Sequence, residues 1–315
     1  MNRVVEPKPH KPENKKENKK EKKIGTEVEG SEDLSKSTIL VKLQDSNLLL
    51  ILLVISFIAF LATREIMFAV TTGALIISVF FLDIIAGIQR HGFSKELIEI
   101  GIAVIIALAV WFSLVFLLNT SSPVSAIVSC SMLPAYERGD LIILRGVPPS
   151  EIKAQAIEVD QNSLNVISSS LHSSCGQTQF GIDYQCGSCV RTSIASGQPG
   201  QERFVQCVKG ISVNGKQINE DLTNDVIVYT PQQSLSRFQG DIIHRAYAKL
   251  TAGNKTVILT KGDNNDYFDS SLFGAVPQEN VKGKVLLRIP YLGYLKLFIS
   301  GFFSEPAGCD TVLQH

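Results

Sequence analysis

Apolar positions fall in two different patterns along the chain. From Asn47 to Thr63 the sequence is almost wholly apolar; Arg64-Glu65 interrupts it, and a second run extends from Ile66 to Ile88, broken by Asp83. A third goes from Leu97 to Leu118, with Glu99 near its start. Each approaches the roughly 20 residues that cross a bilayer as a helix, the first being marginal. The pattern predicts three transmembrane helices within 46–118, at about 47–63, 66–88 and 97–118. A cleaved targeting peptide fits poorly, because the first run begins late and a second follows at once.

After Asn119 the apolar positions shorten into β-branched runs separated by Gly, Pro, Asn and Asp. Val124–Val128, Leu141–Arg145, Val226–Thr230, Ile242–Ala248, Val257–Thr260 and Val285–Ile289 read as strands, so 119–315 is expected to be a mainly β domain. Residues 154–222 differ from their flanks, being rich in Ser, Gln and Gly, and Asn214-Gly215 near their end reads as a hairpin turn. Residues 291–303 are too short and too interrupted for a span; they suit either a membrane-surface segment or a buried C-terminal element.

Charge divides the chain as sharply as hydropathy does. The formal net charge is zero, so bulk charge implies no nucleic-acid partner. Residues 1–45, however, are dense in Lys, Glu, Pro and Asn and poor in aromatics, and are expected to be a disordered tail. A loose contact with anionic lipid headgroups is the alternative to a merely solvated tail. The Lys-rich head and the Arg90/Lys95 loop both fall on the cytoplasmic side if there are three spans, which puts everything after Asn119 outside. Asp83 and Glu99 would then lie near the cytoplasmic interface.

The six cysteines fit an exterior setting. Cys175, Cys186, Cys189 and Cys207 cluster in 154–222 and are expected to form two disulfides, with a four-thiolate zinc site as the alternative. Cys130 and Cys309 are expected to be free thiols, with a bond between them as the alternative. Asn119-Thr-Ser121 and Asn254-Lys-Thr256 have the glycosylation pattern.

Candidate chemistry begins at Val128-Ser129-Cys130-Ser131-Met132-Leu133-Pro134, just beyond the last apolar run. Ile243-His244-Arg245 follows, and then Thr260-Lys261-Gly262-Asp263-Asn264-Asn265 with Asp269 close behind. A serine hydroxyl is a poor nucleophile unless a base lies within hydrogen-bond reach and a further group orients that base. Singly, each signal is weak: Ser-x-Ser is usually a turn, a histidine in an apolar strand is usually packed, and Gly-Asp-Asn-Asn is usually a loop. Together, in this order after a membrane span, they resemble signal peptidase I of the archaeal and endoplasmic-reticulum type. Gly139-Asp140-Leu141-Ile142-Ile143, Asp225-Val226-Ile227-Val228-Tyr229 and Gly283-Lys284-Val285 leading to Arg288-Ile289-Pro290 add to the match. The resemblance covers about 123–153 and 223–297 and leaves 154–222 as an insertion.

Hydropathy and the resemblance together give the expected fold, a membrane-anchored, multi-pass protein: three transmembrane α-helices, more than the one or two usual in the family, followed by a mainly β extracytoplasmic catalytic domain of the family's type, with a Cys-rich insertion at 154–222 on which the resemblance is silent. It implies Ser131 as nucleophile, His244 as general base, Asp269 as the orienting carboxylate and Asp263 as a supporting acid. The oxyanion hole would use the Ser131 N–H and the Ser129 hydroxyl. Lys261 is expected to be a solvated turn residue, and Arg245 cannot act as a base because it stays protonated. No cofactor or metal is expected. The implied partners are the signal peptides of exported pre-proteins, cut after small residues of the Ala-x-Ala type, together with the lipid bilayer and the translocation channel. The implied location is the plasma membrane. Ser131 lies thirteen steps from Leu118, so an extended link reaches at most ~45 Å and holds the site near the membrane. Two departures stand out: Cys130 occupies a position usually small, and Phe268 precedes Asp269 where many relatives have an acid. The alternatives are a peptidase for one precursor class, such as pilin-like or surface-layer proteins, and a non-catalytic envelope receptor or assembly factor built on the Cys-rich lobe.

Overall fold

The structure, a computed structural model, describes residues 46–169, 178–179, 181–194, 199–232 and 240–314. The Lys-rich stretch 1–45 and Cys175 lie outside the described residues. The chain divides into two units: Leu75–Glu99 with the chain up to Ile55, and Ser56–Ala74 with Ile100–His315.

The apolar runs form helices α1 (Leu48–Thr63), α2 (Ile66–His91) and α3 (Phe93–Leu117). Among the described residues, only α2 and α3 are long and apolar enough to cross a membrane. At 16 residues, α1 is about 24 Å long at ~1.5 Å per residue, short of a ~30 Å hydrocarbon core. The breaks have local causes: Arg64 (φ 59°) and Gly92 (φ 83°) take left-handed backbone conformations where α1 and α2 end. None of the residues of α3 is buried within the protein, which for so apolar a helix requires lipid or other helices around it.

The six predicted strands all lie in one eight-stranded sheet, which two short unpredicted strands complete. Its order is β1 (Val124–Ala126), β2 (Leu141–Arg145), β12 (Val281–Ile289), β8 (Val226–Tyr229), β9 (Ile242–Ala252), β10 (Lys255–Lys261) and β11 (Val276–Pro277). β3 (Gln155–Glu158) pairs in parallel with the far half of β9, while β8 pairs with its near half. Along β9 the alternation sends Ile242 and Ala246 into a core with Ile227 and Tyr229 of β8, and sends Tyr247 toward a second core. That crossing of faces coincides with a bulge: Thr260 opposes Ala246 while Leu259 opposes Ala248.

The insertion is not an appended lobe. Helix α4 (Gln161–Ser169) is followed by β4 (Thr178–Gln179), β5 (Ile182–Ser193), β6 (Glu202–Val213) and β7 (Lys216–Asn219). β4 to β7 make a five-stranded sheet with the C-terminal β13 (Thr311–Leu313). Ile182, Tyr184, Ile211 and Ile218 share one core with Leu250, Leu259 and Phe268. The face that a separate lobe would keep for itself is thus buried against the first sheet. The β6–β7 turn is the expected hairpin, with Asn214 (φ 52°) and Gly215 (φ 77°) both left-handed.

The cysteine pattern corrects one expectation. Cys130 and Cys309 are bonded to each other, so neither is a free thiol. Cys189 bonds Cys207 across the β5–β6 hairpin, and Cys186 is also disulfide-bonded. Segment 291–303 has two faces. In its helix α5 (Tyr294–Ile299) Tyr294, Leu297 and Phe298 are buried and pack with Phe60 of α1. Leu292, Leu295, Ile299 and Phe302 are exposed.

Candidate active site

Ser131 sits in the turn after β1. Its neighbours Cys130, Met132 and Leu133 are buried, which anchors the turn, while Ser131 itself is half-buried. His244 lies on β9, opposite Ile227 of β8, and is 5% exposed. Asp269 opens a short 3-10 turn after β10 and is buried with Phe268 and Ser270.

These elements bring the three side chains into line. His244 Nε2 is 2.8 Å from Ser131 Oγ, and His244 Nδ1 is 2.6 Å from Asp269 Oδ2. With the carboxylate ionised, Nδ1 donates to Asp269, and Nε2 is left to accept the hydroxyl proton of Ser131. Ser129 Oγ lies 3.2 Å from Ser131 Oγ. The Tyr229 hydroxyl donates to Asp269 Oδ2 at 2.8 Å and accepts from Thr260 Oγ1 at 3.2 Å. Burial first, and the Asp269 carboxylate second, hold the Tyr229 hydroxyl well above the ordinary tyrosine range. It is therefore a protonated donor at neutral pH.

Asp263 keeps different company. Its two oxygens accept from Arg245 Nε and Nη2 at 2.8 and 2.6 Å, and the same guanidinium donates to the Asn224 carbonyl at 2.6 Å. Lys261, expected to be solvated, is 2% exposed and pairs with Glu220 at 2.8 Å. The reason is its place on β10 opposite Arg245, inside the sheet and not in the turn beyond it. Asn264 joins the loop to the nucleophile turn and to the C-terminal strand. Its N–H donates to the Ser131 carbonyl at 2.8 Å, and its amide donates to the carbonyls of Cys130 and Thr311 at 3.1 and 2.9 Å. Arg191 of β5 completes the clamp, donating to the Asn264 carbonyl at 2.6 Å and reaching Asp266 Oδ1 at 2.9 Å.

A groove of about 220 Å³ runs beside Ser131 and His244. Ala126, Val128, Ile142, Val228, Ile242 and Phe273 give it apolar walls. It reaches β1, an edge of the eight-stranded sheet among the described residues.

Sequence reasoning quoted Tyr229 and Asn264 within matching motifs without giving either a role, and passed over Arg191. Tyr229 carried a signal, since a tyrosine closing a buried apolar strand needs a partner for its hydroxyl. Asn264 stood in the Gly-Asp-Asn-Asn motif, whereas Arg191 carried no signal that distinguishes it from a surface residue.

No family model matches the chain. Over 91 residues it is 31% identical to the signal peptidase complex catalytic subunit of Sclerotinia sclerotiorum, covering 28% of this chain and 51% of that protein. The chain thus spans about half the length of that relative. The subunit of the same name from Colletotrichum graminicola is 22% identical over 213 residues, 66% of this chain and 82% of that one. That from Leptosphaeria maculans is 22% identical over 222 residues, 69% and 86% of the two chains. Similarity over most of a relative's length is thus confined, among these three, to the two matched at 22% identity.

Proposed function

We propose that the chain is a membrane-bound serine endopeptidase that removes signal peptides from exported pre-proteins. The observation that carries this reading is the unbroken hydrogen-bonded line from Ser131 through His244 to Asp269. In this reading Nε2 takes the serine proton as Oγ attacks the scissile carbonyl, and later gives it to the leaving amine. Asp269 holds the imidazole and stabilises the imidazolium. The Ser131 N–H and the Ser129 hydroxyl, close to Ser131 Oγ, receive the oxyanion. Asp263 acts on the loop through Arg245, not on the histidine.

The substrate adds to the β1 edge as an extended strand, and its side chain before the cut enters the groove. The groove's small volume fits Ala-x-Ala-type sites.

Contacts within the larger unit support the three-span reading. At the α1–α2 turn Arg64 donates to the Tyr294 hydroxyl and lies 3.8 Å from Glu137. At the end of α3 the Leu118 carbonyl accepts from Gly146 N–H at 2.8 Å. A chain that leaves the β domain at Glu65 and returns at Leu118 makes an even number of crossings, so a crossing by α1 makes three. The β domain then faces away from the Lys-rich head. We place it in the membrane across which precursors leave the cytoplasm: the plasma membrane where no internal export membrane exists, the endoplasmic reticulum where one does. The relatives named above are fungal, and the archaeal side of the resemblance draws no support from them. A receptor built on a free Cys-rich lobe draws none from the buried face of β5–β7.

The test is cleavage of a precursor carrying an Ala-x-Ala site by the purified full chain in detergent. The parent protein should cleave it and Ser131→Ala should not, with both variants equally folded. Retained cleavage by Ser131→Ala would remove the assignment to this serine.

A further inference from the structure

We infer that Tyr229 is a positioning residue of the serine site, acting on His244 through Asp269; this rests on the reading given above. Asp269 Oδ2 accepts two hydrogen bonds, from His244 Nδ1 at 2.6 Å and from the Tyr229 hydroxyl at 2.8 Å. A tyrosine hydroxyl has one proton to give. Thr260 Oγ1 donates to the phenolic oxygen at 3.2 Å, which takes up one of its lone pairs and leaves the proton directed at the carboxylate. Tyr229 is fully buried and Thr260 is 1% exposed, so water does not compete for either bond. The result is one directed chain, Thr260 to Tyr229 to Asp269, meeting His244 and Ser131 from the other side.

The strand register makes this placement a property of the sheet. Tyr229 pairs with Ile242 and Ile227 with His244 on adjacent β8 and β9, so tyrosine and histidine lie diagonally across one face. Thr260 comes from β10 on the other side of β9. The other charges near the site are committed elsewhere. Arg245 pairs with Asp263, Lys261 with Glu220, and Asp241 at the groove with Lys282.

Two donors on one oxygen fix the carboxylate's rotation, and so fix the imidazole against Ser131. They also share that oxygen's electron density, so each bond is weaker than it would be alone. Removing the tyrosine hydroxyl should free the carboxylate to turn while strengthening what the histidine draws from it. Turnover falls because orientation is lost; binding is unaffected because Tyr229 does not line the groove.

The experiment compares the full chain with Tyr229→Phe and Thr260→Val, both near-isosteric, in detergent micelles. In NMR spectra the His244 Nδ1–H resonance should move downfield in Tyr229→Phe, and by less in Thr260→Val. Single-turnover cleavage by Tyr229→Phe should be about fivefold slower with unchanged KM, the loss an ordinary hydrogen bond carries. A resonance at the parent position or upfield of it in Tyr229→Phe overturns the inference, whether or not the chain cleaves. Should that variant not fold, Thr260→Val decides by the same signal. Parent protein that cleaves no precursor would refute the peptidase reading alone, because the resonance does not depend on cleavage.

Discussion

The loop after β10 has two halves, each with a buried aspartate, Asp263 in the first and Asp269 in the second, and the two do opposite work. In the first half Asp263, Asn264 and Asp266 face arginines, backbone carbonyls and the C-terminal strand. In the second, Asp269 faces an imidazole and a phenol. Both aspartates are buried to nearly the same degree, 2% and 3% exposed, so burial does not tell them apart. Their partners do. A permanent guanidinium can only hold a carboxylate in place, whereas an imidazole beside a serine changes charge during the reaction and needs its counter-charge then. On the proposed mechanism the first half is a fastening and the second is part of the reacting apparatus.

The largest effect that would break this comparison is on turnover. Asp269→Asn keeps the shape but offers a donor where an acceptor is needed. On the proposed mechanism it should lower single-turnover cleavage by about 10³–10⁴-fold, with little change in apparent affinity, as in the serine triads for which such a change is known. Near-parental cleavage by this variant would assign the orienting role elsewhere.

Asp263→Asn should act on the fold instead. Its pair with Arg245 is buried, with side chains 3% and 11% exposed. Removing one charge leaves the other unmatched, at a cost of ~3–5 kcal/mol. The thermal midpoint in detergent should fall clearly, while the turnover of the folded fraction stays within about tenfold of the parent, ~1.4 kcal/mol on the barrier. A stable Asp263→Asn protein with a turnover as low as that of Asp269→Asn would exchange the two roles.

How much of this was legible in the sequence varies along the chain for physical reasons. The strands Leu141–Arg145 and Val226–Tyr229 carry β-branched runs bounded by turn residues and form where that pattern puts them. The apolar helices were legible for the same kind of reason, with α2 and α3 reaching further toward their shared turn than their apolar cores suggested. The insertion was not. β5 and β6 are twelve residues each, but they carry Gly, Ser, Gln and Cys where strand signals are weak, and they become strands by packing on β9 and β10. At the site, the Ser, His and Asp motifs were picked out by their joint resemblance to a family's motifs, each being weak alone. Their distances could not, since they depend on β9 crossing beside the Ser131 turn. Cys130 looked like an isolated departure because its partner lies 179 residues away, a separation no local pattern encodes. Lys261 looked solvated because Gly-Asp-Asn-Asn suggests a turn, yet the turn begins one residue later.

The smallest effect on turnover, and the one that sharpens the comparison most, concerns the Cys130–Cys309 bond. It joins the residue before the nucleophile to the C-terminal strap, where the Gly308 and Thr311 carbonyls accept from Asn264. Two fastenings therefore hold the Ser131 turn: a covalent one and the hydrogen bonds from Asn264 to the Cys130 and Ser131 carbonyls. If the loop's first half is the working fastening, the covalent bond is redundant for geometry. Its contribution then lies in limiting the unfolded chain, where closing so long a loop is worth several kcal/mol in the chain-entropy account. Cys309→Ala leaves Asn264, Arg191 and the β13–β5 pairing in place. It should lower the thermal midpoint yet slow turnover by less than the roughly fivefold that one ordinary hydrogen bond carries. Single-turnover cleavage and a melt on the same preparation separate the two effects. If turnover fell as steeply as in Asp269→Asn while the fold held, the disulfide rather than Asn264 would set the position of the serine, and the first half of the loop would lose the role given to it here.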